Sequence, residues 1–199
     1  VELFASDSVH VRFNQEGDIG YYLGLNNPGN QRAFTVPMEA VAPNLGKKVQ
    51  VYYQITPAGT TIPLVSPGYT LTVLNLGTGQ VIAPICTKPD TSGRLSKQAV
   101  MAADGAEFTQ KKFLYFQARP WVKVYASVRD VKTYFRGTAL QGVQVSVEEA
   151  VAEKLIISIN KVYVNGIAVN EKMVVGAEIS FDGGVVYKQF DTVSLTIID

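Results

Sequence analysis

The chain has 199 residues, with 18 Lys+Arg, 17 Asp+Glu and one His. A net charge of +1 gives no electrostatic reason to bind nucleic acid or an anionic membrane. Hydrophobic residues at 47% and charged residues at 18% exclude disorder; one Cys excludes an intrachain disulfide and any metal site built mainly from His and Cys.

The N-terminus has no basic stretch followed by an apolar one, so no signal peptide is read there. It does not begin with Met, and the expectation is a fragment or a processed product. Val9, Val11 and Phe13 alternate with His10, Arg12 and Asn14, as a half-buried strand requires. Tyr21 and Tyr22 follow in a glycine-rich stretch, and residues 26–30 form a turn cluster. Residues 38–45 predict one helical turn, broken by Pro43. Val49, Val51, Tyr53 and Ile55 mark a strand, Pro57-Ala58-Gly59 and Ser66-Pro67-Gly68 mark turns, and Tyr69, Leu71 and Val73 mark the next strand. Gly77-Thr78-Gly79 reads as a linker. Strands are then expected over residues 81–84, 113–117, 122–128 and 143–147, with Pro120 as a break. A short helix is expected over residues 147–155, its early Glu148 and Glu149 favoured by the helix dipole. Asp182-Gly183-Gly184 is a turn, and Val193, Leu195 and Ile197 close the chain as a strand. No run approaches the ~18–20 apolar residues that span a bilayer, so membrane insertion is not expected.

An internal repeat is the sharpest signal. Shifted by 124 positions, residues 48–75 lie over residues 172–199 without a gap. Lys48 meets Lys172, Ile55 meets Ile179, Gly59 meets Gly183, Leu71 meets Leu195 and Thr72 meets Thr196. Upstream, Phe34-Thr35-Val36 faces Ile157-Ser158-Ile159 after a one-residue gap. Each half reads strand, loop, strand, glycine turn, strand. The repeat divides the chain into residues 1–76 and 80–199. The first unit is short before its Val9 strand, and a counterpart of residues 81–85 is missing from it.

Phe34-Thr35-Val36-Pro37, the Val49-Gln50-Val51-Tyr52-Tyr53 strand, Ser66-Pro67 and Leu71-Thr72-Val73 resemble the bacterial immunoglobulin-like repeats of large secreted or cell-surface, adhesin-type proteins. Pro120-Trp121, Ile179-Ser180-Phe181-Asp182-Gly183 and Leu195-Thr196-Ile197 resemble them in the second half, which departs by an insertion around residues 134–155. The resemblance implies an all-β chain: two tandem antiparallel β-sandwiches of immunoglobulin-like type, with at most short helical turns. It implies a non-enzymatic structural or adhesive module, extracellular or on the bacterial surface. Its partners would be neighbouring repeats of the same polypeptide and a host or cell-surface glycan or protein.

Residues that could carry chemistry are few. A catalytic His10 would need a nucleophile and an orienting partner, and neighbouring sequence supplies neither, so it reads as a strand residue. Cys86 reads as a small buried residue. Glu149 and Glu153 lie one helical turn apart, with Glu148 beside them, and read as a solvated helix face rather than a carboxylate site. Asp182 lacks the alternating acidic neighbours of a calcium loop, while Asp90, Asp104 and Glu107 are a separate candidate for calcium at the unit junction. Trp121 reads as a core anchor. Lys47-Lys48 and Lys111-Lys112 suit guarded strand edges. Tyr21 and Tyr22 are the ligand candidates, because exposed aromatics stack on sugar rings at small entropic cost. No catalytic residue, metal ligand or cofactor is expected. The alternative class is a carbohydrate-binding module; phage-tail-like components and toxins reuse similar sandwiches and form a further class.

Overall fold

The computed structural model describes residues 4–26, 30, 32–77, 79–90 and 92–199. The first three residues, residues 27–29 of the expected turn and Thr78 of the expected linker lie outside them. The chain divides into Val1–Asn75 and Leu76–Asp199.

The first unit holds β1 (Ser8–Phe13), β2 (Tyr22–Leu25), α1 (Met38–Val41), a 3-10 turn (Ala42–Asn44), β3 (Lys48–Thr56), β4 (Leu64–Val65) and β5 (Tyr69–Thr72). Its sheet runs β2-β1-β3, and the far edge of β3 pairs with β5 along its first half and β4 near its end, all antiparallel. Alternation decides the faces. Val9, Val11 and Phe13 are buried and the residues between them are half-buried. Phe13, Ala40, Val49 and Val73 form the core, with Tyr22, Val36, Val41, Leu45 and Val51 packed on it. Pro43 sits at the start of the 3-10 turn, where its missing N–H costs nothing. Buried Asn44 locks this turn: its amide donates to Ala40 O at 2.9 Å and its Oδ1 accepts from Asn14 at 3.1 Å.

The second unit holds β6 (Ile85–Cys86), β7 (Arg94–Ser96), α2 (Lys97–Ala102), β8 (Gly105–Lys111), a 3-10 turn (Phe116–Ala118), β9 (Trp121–Val128), β10 (Val131–Arg136), β11 (Val143–Gln144), α3 (Val147–Ala152), β12 (Lys154–Asn160), α4 (Lys161–Gly166), β13 (Lys172–Ser180), β14 (Lys188–Gln189) and β15 (Val193–Ile198). The larger sheet runs β10-β9-β13-β15-β7, with β11 on β9 and β14 on β13. The smaller runs β12-β8-β6. One core joins them: Val122, Val124, Met173, Val175 and Ile179 from the first, Phe108, Leu155, Ile157 and Ile159 from the second. Fully burying a side chain of this size contributes about 1.5–3 kcal/mol, so this set dominates the unit.

The registers of the two units coincide at a shift of 124. Val49 pairs with Leu71 and Met173 with Leu195; Gln54 pairs with Val65 and Glu178 with Gln189. Every pairing of β3 with β4 and β5 recurs between β13 and its partners β14 and β15. The bonds Gly46 N to Val73 O and Val73 N to Lys47 O recur as Asn170 N to Ile197 O and Ile197 N to Glu171 O. Gly59 and Gly183 hold φ of +80 and +78, a left-handed turn that glycine adopts without strain.

The fold is mostly β with antiparallel sheets, and it corrects several sequence expectations. One pair, β7 with β15, is parallel. Residues 81–84 are not a strand: Val81 is buried from a loop, and β6 begins after Pro84. Residues 113–117 turn instead of extending, because Tyr115 is left-handed (φ 64) and Phe116 opens a 3-10 turn. The strand expected at 143–147 is cut to two residues because Ser146 caps α3 through a capping box with Glu149. The helix expected to reach Leu155 ends at Ala152, and Leu155 enters β12. Residues 34–36 form no strand. Two further helices, α2 and α4, are present, capped by Ser96 and Asn160.

Phe108 is wholly buried and Tyr69 is 70% exposed. Phe108→Ala is expected to cost about 3–5 kcal/mol, read by denaturant unfolding with the fluorescence of the single Trp121. Tyr69→Ala is expected to stay within about 0.5 kcal/mol, read by circular dichroism. Equal effects would contradict this packing.

Candidate functional site: the outward face of the larger sheet

Strand alternation sends Val122, Val124 and Ala126 of β9 into the core and Lys123 and Tyr125 outward. An outward residue on a half-buried strand should meet water. Here Lys123 is 4% and Tyr125 2% exposed, so β9 is buried on both faces. The cover comes from β10, β13 and the loops beside them.

Pairing of β9 with β13 sets Lys123 opposite Glu178, and pairing with β10 sets Tyr125 opposite Tyr134 and Lys132 opposite Ser127. Glu178 Oε1 accepts from Lys132 Nζ at 2.7 Å and from the Tyr134 hydroxyl at 3.5 Å. Its Oε2 lies 3.9 Å from Lys123 Nζ. Lys123 donates to Ala139 O at 2.8 Å and sits 3.7 Å from the Tyr187 ring centroid. Lys132 lies 4.1 Å from the Tyr125 ring centroid. One carboxylate thus serves two ammonium groups, and each ammonium also uses a ring face.

Small residues admit these rings. A Cβ on Gly176 would overlap the Tyr125 ring, and one on Gly142 would overlap Tyr187. The Gly142 amide donates to the Tyr187 hydroxyl at 2.7 Å. Trp121 is half-buried at the same end, against Gly184.

Each charged group has a partner, although two ammonium groups share one carboxylate. Burial pushes the Tyr125 and Tyr134 hydroxyls above the ordinary tyrosine range, and the Glu178 carboxylate adds to this in both. Burial draws Lys132 downward, but its bond to Glu178 and the two tyrosines outweigh this and raise it. The two tyrosines are held protonated, and the carboxylate is engaged by two ammonium groups. The arrangement supplies ring edges, a carboxamide from Gln189 (3.4 Å from Lys132) and one excess positive charge.

The residues singled out from the sequence lie apart. Tyr22 is half-buried, packs on the first unit's core and covers Gly24 with its ring; Tyr21 is half-buried, its amide donating to Asp18 O. His10 is half-buried on β1, and its Nδ1 meets no partner among the described residues. Cys86 is buried on β6, and burial raises its thiol against an opposing Lys88 amide. The three carboxylates near α3 are each committed separately. Glu148 accepts from the Ser146 hydroxyl, Glu149 forms a two-bond pair with Arg136 at 2.6 and 2.9 Å, and Glu153 pairs with Lys112 at 2.6 Å. Asp90 pairs with Arg94 and Asp104 with Lys161, while Glu107 lines a shallow polar cleft with Lys88 and Ser158. Asp182 accepts from Ser180 and Val186 N within its turn. Among the described residues no three His, Cys, Asp or Glu side chains gather as metal ligands, and no helix is long and apolar enough to cross a membrane.

No local pattern in the sequence joins Lys123, Lys132 and Glu178. Charged residues on the polar side of a strand look solvated, and only strand pairing joins them. No protein-family model matches the chain, and a search of curated proteins finds no match.

Removing Glu178 leaves a buried ammonium without its carboxylate. Glu178→Gln is expected to cost about 3 kcal/mol, measured by Trp121-monitored unfolding. Adding Lys123→Met should restore part of it; a Glu178→Gln chain as stable as the parent would show that the pair contributes nothing.

Proposed function

We propose that the chain is two tandem immunoglobulin-like units, residues 80–199 a β-sandwich and residues 1–76 an incomplete one with a single sheet among the described residues, that space or mediate adhesion within a larger secreted or surface-exposed bacterial protein. The observation that carries this reading is the recurrence of strand registers at a shift of 124. A scaffold used twice at constant register suits an array grown by duplication, in which packing rather than bond chemistry is repeated. The ionic groups of the second unit support it as well, since they are spent on one another. The module acts without bond chemistry: partners are met by loops and sheet edges, and include neighbouring repeats and a glycan or protein of a cell surface. Antibodies raised against the chain are expected to label intact cells of the source organism. Labelling only after permeabilisation would overturn the surface location.

A specific observation favours the carbohydrate-binding alternative as a second reading. Trp121 and Tyr187 stand together at one end of the outward face, beside loop residues 137–142. Half-buried aromatics of this kind stack on sugar rings. Titration with soluble oligosaccharides should then shift Trp121 fluorescence saturably, and Tyr187→Ala should abolish the shift. A flat response across neutral and acidic oligosaccharides would remove this reading.

A further inference from the structure

The outward faces of the two sheets balance their charge differently. In the second unit Glu178 lies opposite Lys123, and its carboxylate accepts from Lys132 at 2.7 Å. At the shift of 124, Gln54 takes the place of Glu178 and Tyr52 that of Gly176. In the first unit the same strand pairing sets His10 opposite Gln54 and Arg12 opposite Tyr52. Basic residues are thus kept on this face, while the carboxylate becomes a carboxamide. None of the strands β1 to β5 contains an acidic residue. Arg12 is half-buried, and its Nε, shielded from solvent, meets no acceptor among the described residues. The Nδ1 of His10 is shielded and unpartnered in the same way. Polar atoms in this condition are rare in folded chains and call for a reason. The groups that complete this face in the second unit, Lys132, Ala139, Tyr187 and Gln189, all follow β9 in the chain.

We infer that this face of the first unit is a binding site for an acidic sugar of the hexuronate type. Its carboxylate takes beside Arg12 the place that Glu178 holds in the second unit. A guanidinium is a planar fork that matches a carboxylate with parallel hydrogen bonds, and no carboxylate of the described residues pairs with this one. The neighbours of Arg12 suit a sugar better than an acidic peptide. Gln54 offers both a donor and an acceptor to ring hydroxyls. Gln50 is already fixed, its amide donating to the Thr70 hydroxyl at 2.7 Å. Tyr52 stands beside Arg12 by register and supplies aromatic surface; its ring lies so close to Gly68 that a Cβ there would fall 2.7 Å from it. The inference stands on the register and charge of this face. It requires neither the surface location nor the Trp121 end of the second unit proposed above.

The test uses the full chain and sodium glucuronate, with glucose as the probe lacking the carboxylate and sodium acetate as the probe lacking the ring, at constant ionic strength. Binding is read by nitrogen–proton NMR at the arginine Nε–H signals, that of Arg12 assigned by its loss in Arg12→Lys. Glucuronate is expected to shift the Arg12 signal saturably and to bind about tenfold more tightly than acetate, while glucose leaves the signal unmoved. Gln54→Glu rebuilds the carboxylate of the second unit beside Arg12. It should abolish glucuronate binding without lowering the unfolding midpoint, which separates loss of the site from loss of the fold. The absence of a saturable shift, an equal response to acetate, or undiminished binding by Gln54→Glu overturns the inference. Tighter binding of a glutamate-containing tripeptide than of glucuronate would assign the face to an acidic protein segment and also overturn it. Labelling of cells and the Trp121 titration are unaffected by any of these results, so the proposals fail separately.

Discussion

Burial of one face of a nine-residue central strand is the constraint from which both units follow. β3 and β13 each hydrogen-bond to neighbours on both sides, so their backbone demands are met within the sheet. What remains to be decided is which side chains face inward. A slip of one residue would send Val49, Val51 and Ile55, or Met173, Val175 and Ile179, to the opposite face. The register is therefore held by the apolar set, and the glycine turns at 59 and 183 and the short strands beyond them fall into place at identical spacing.

The units part company in what lies on either side of that strand. In the second, an additional sheet closes over the inward face, and this places a core of nearly zero exposure between two layers. In the first, α1 and the residues just before it cover only part of the face. The outward face differs too. Glu178 has Gln54 as its equivalent, and Lys123 lies where the first unit has His10. The second unit thus gains an internal ionic pair on a face that in the first unit carries a half-buried imidazole and a carboxamide.

Legibility tracked the length and regularity of each element. Strands β1, β3, β5, β9 and β15 were readable because sustained alternation has few other interpretations, and β13 was readable through its repeat of β3. Six-residue helices such as α2 and α4 offer less than two turns of pattern, so periodicity did not reveal them. Residues 113–117 look strand-like because Phe113 and Phe116 are apolar, yet both are buried from a turn. β8 was hidden because Gln110, fully buried with its amide donating to Ile82 O, breaks the apolar pattern. The candidate site was the least legible part. A lysine between two valines is ordinarily read as solvated, and nothing local reveals that Glu178 and Tyr187 lie across the sheet from Lys123.

The alternating strands, the helical turn before β3, the division near residue 75 and the shift of 124 are legible from the residues alone, because each depends on local periodicity or on direct comparison of residues. Which strands neighbour one another, that β7 runs parallel to β15, that β9 is covered on both faces, and that the apolar face of β3 is largely exposed while that of β13 is buried emerge only on folding. Those facts depend on contacts between residues distant in the chain, which periodicity cannot encode.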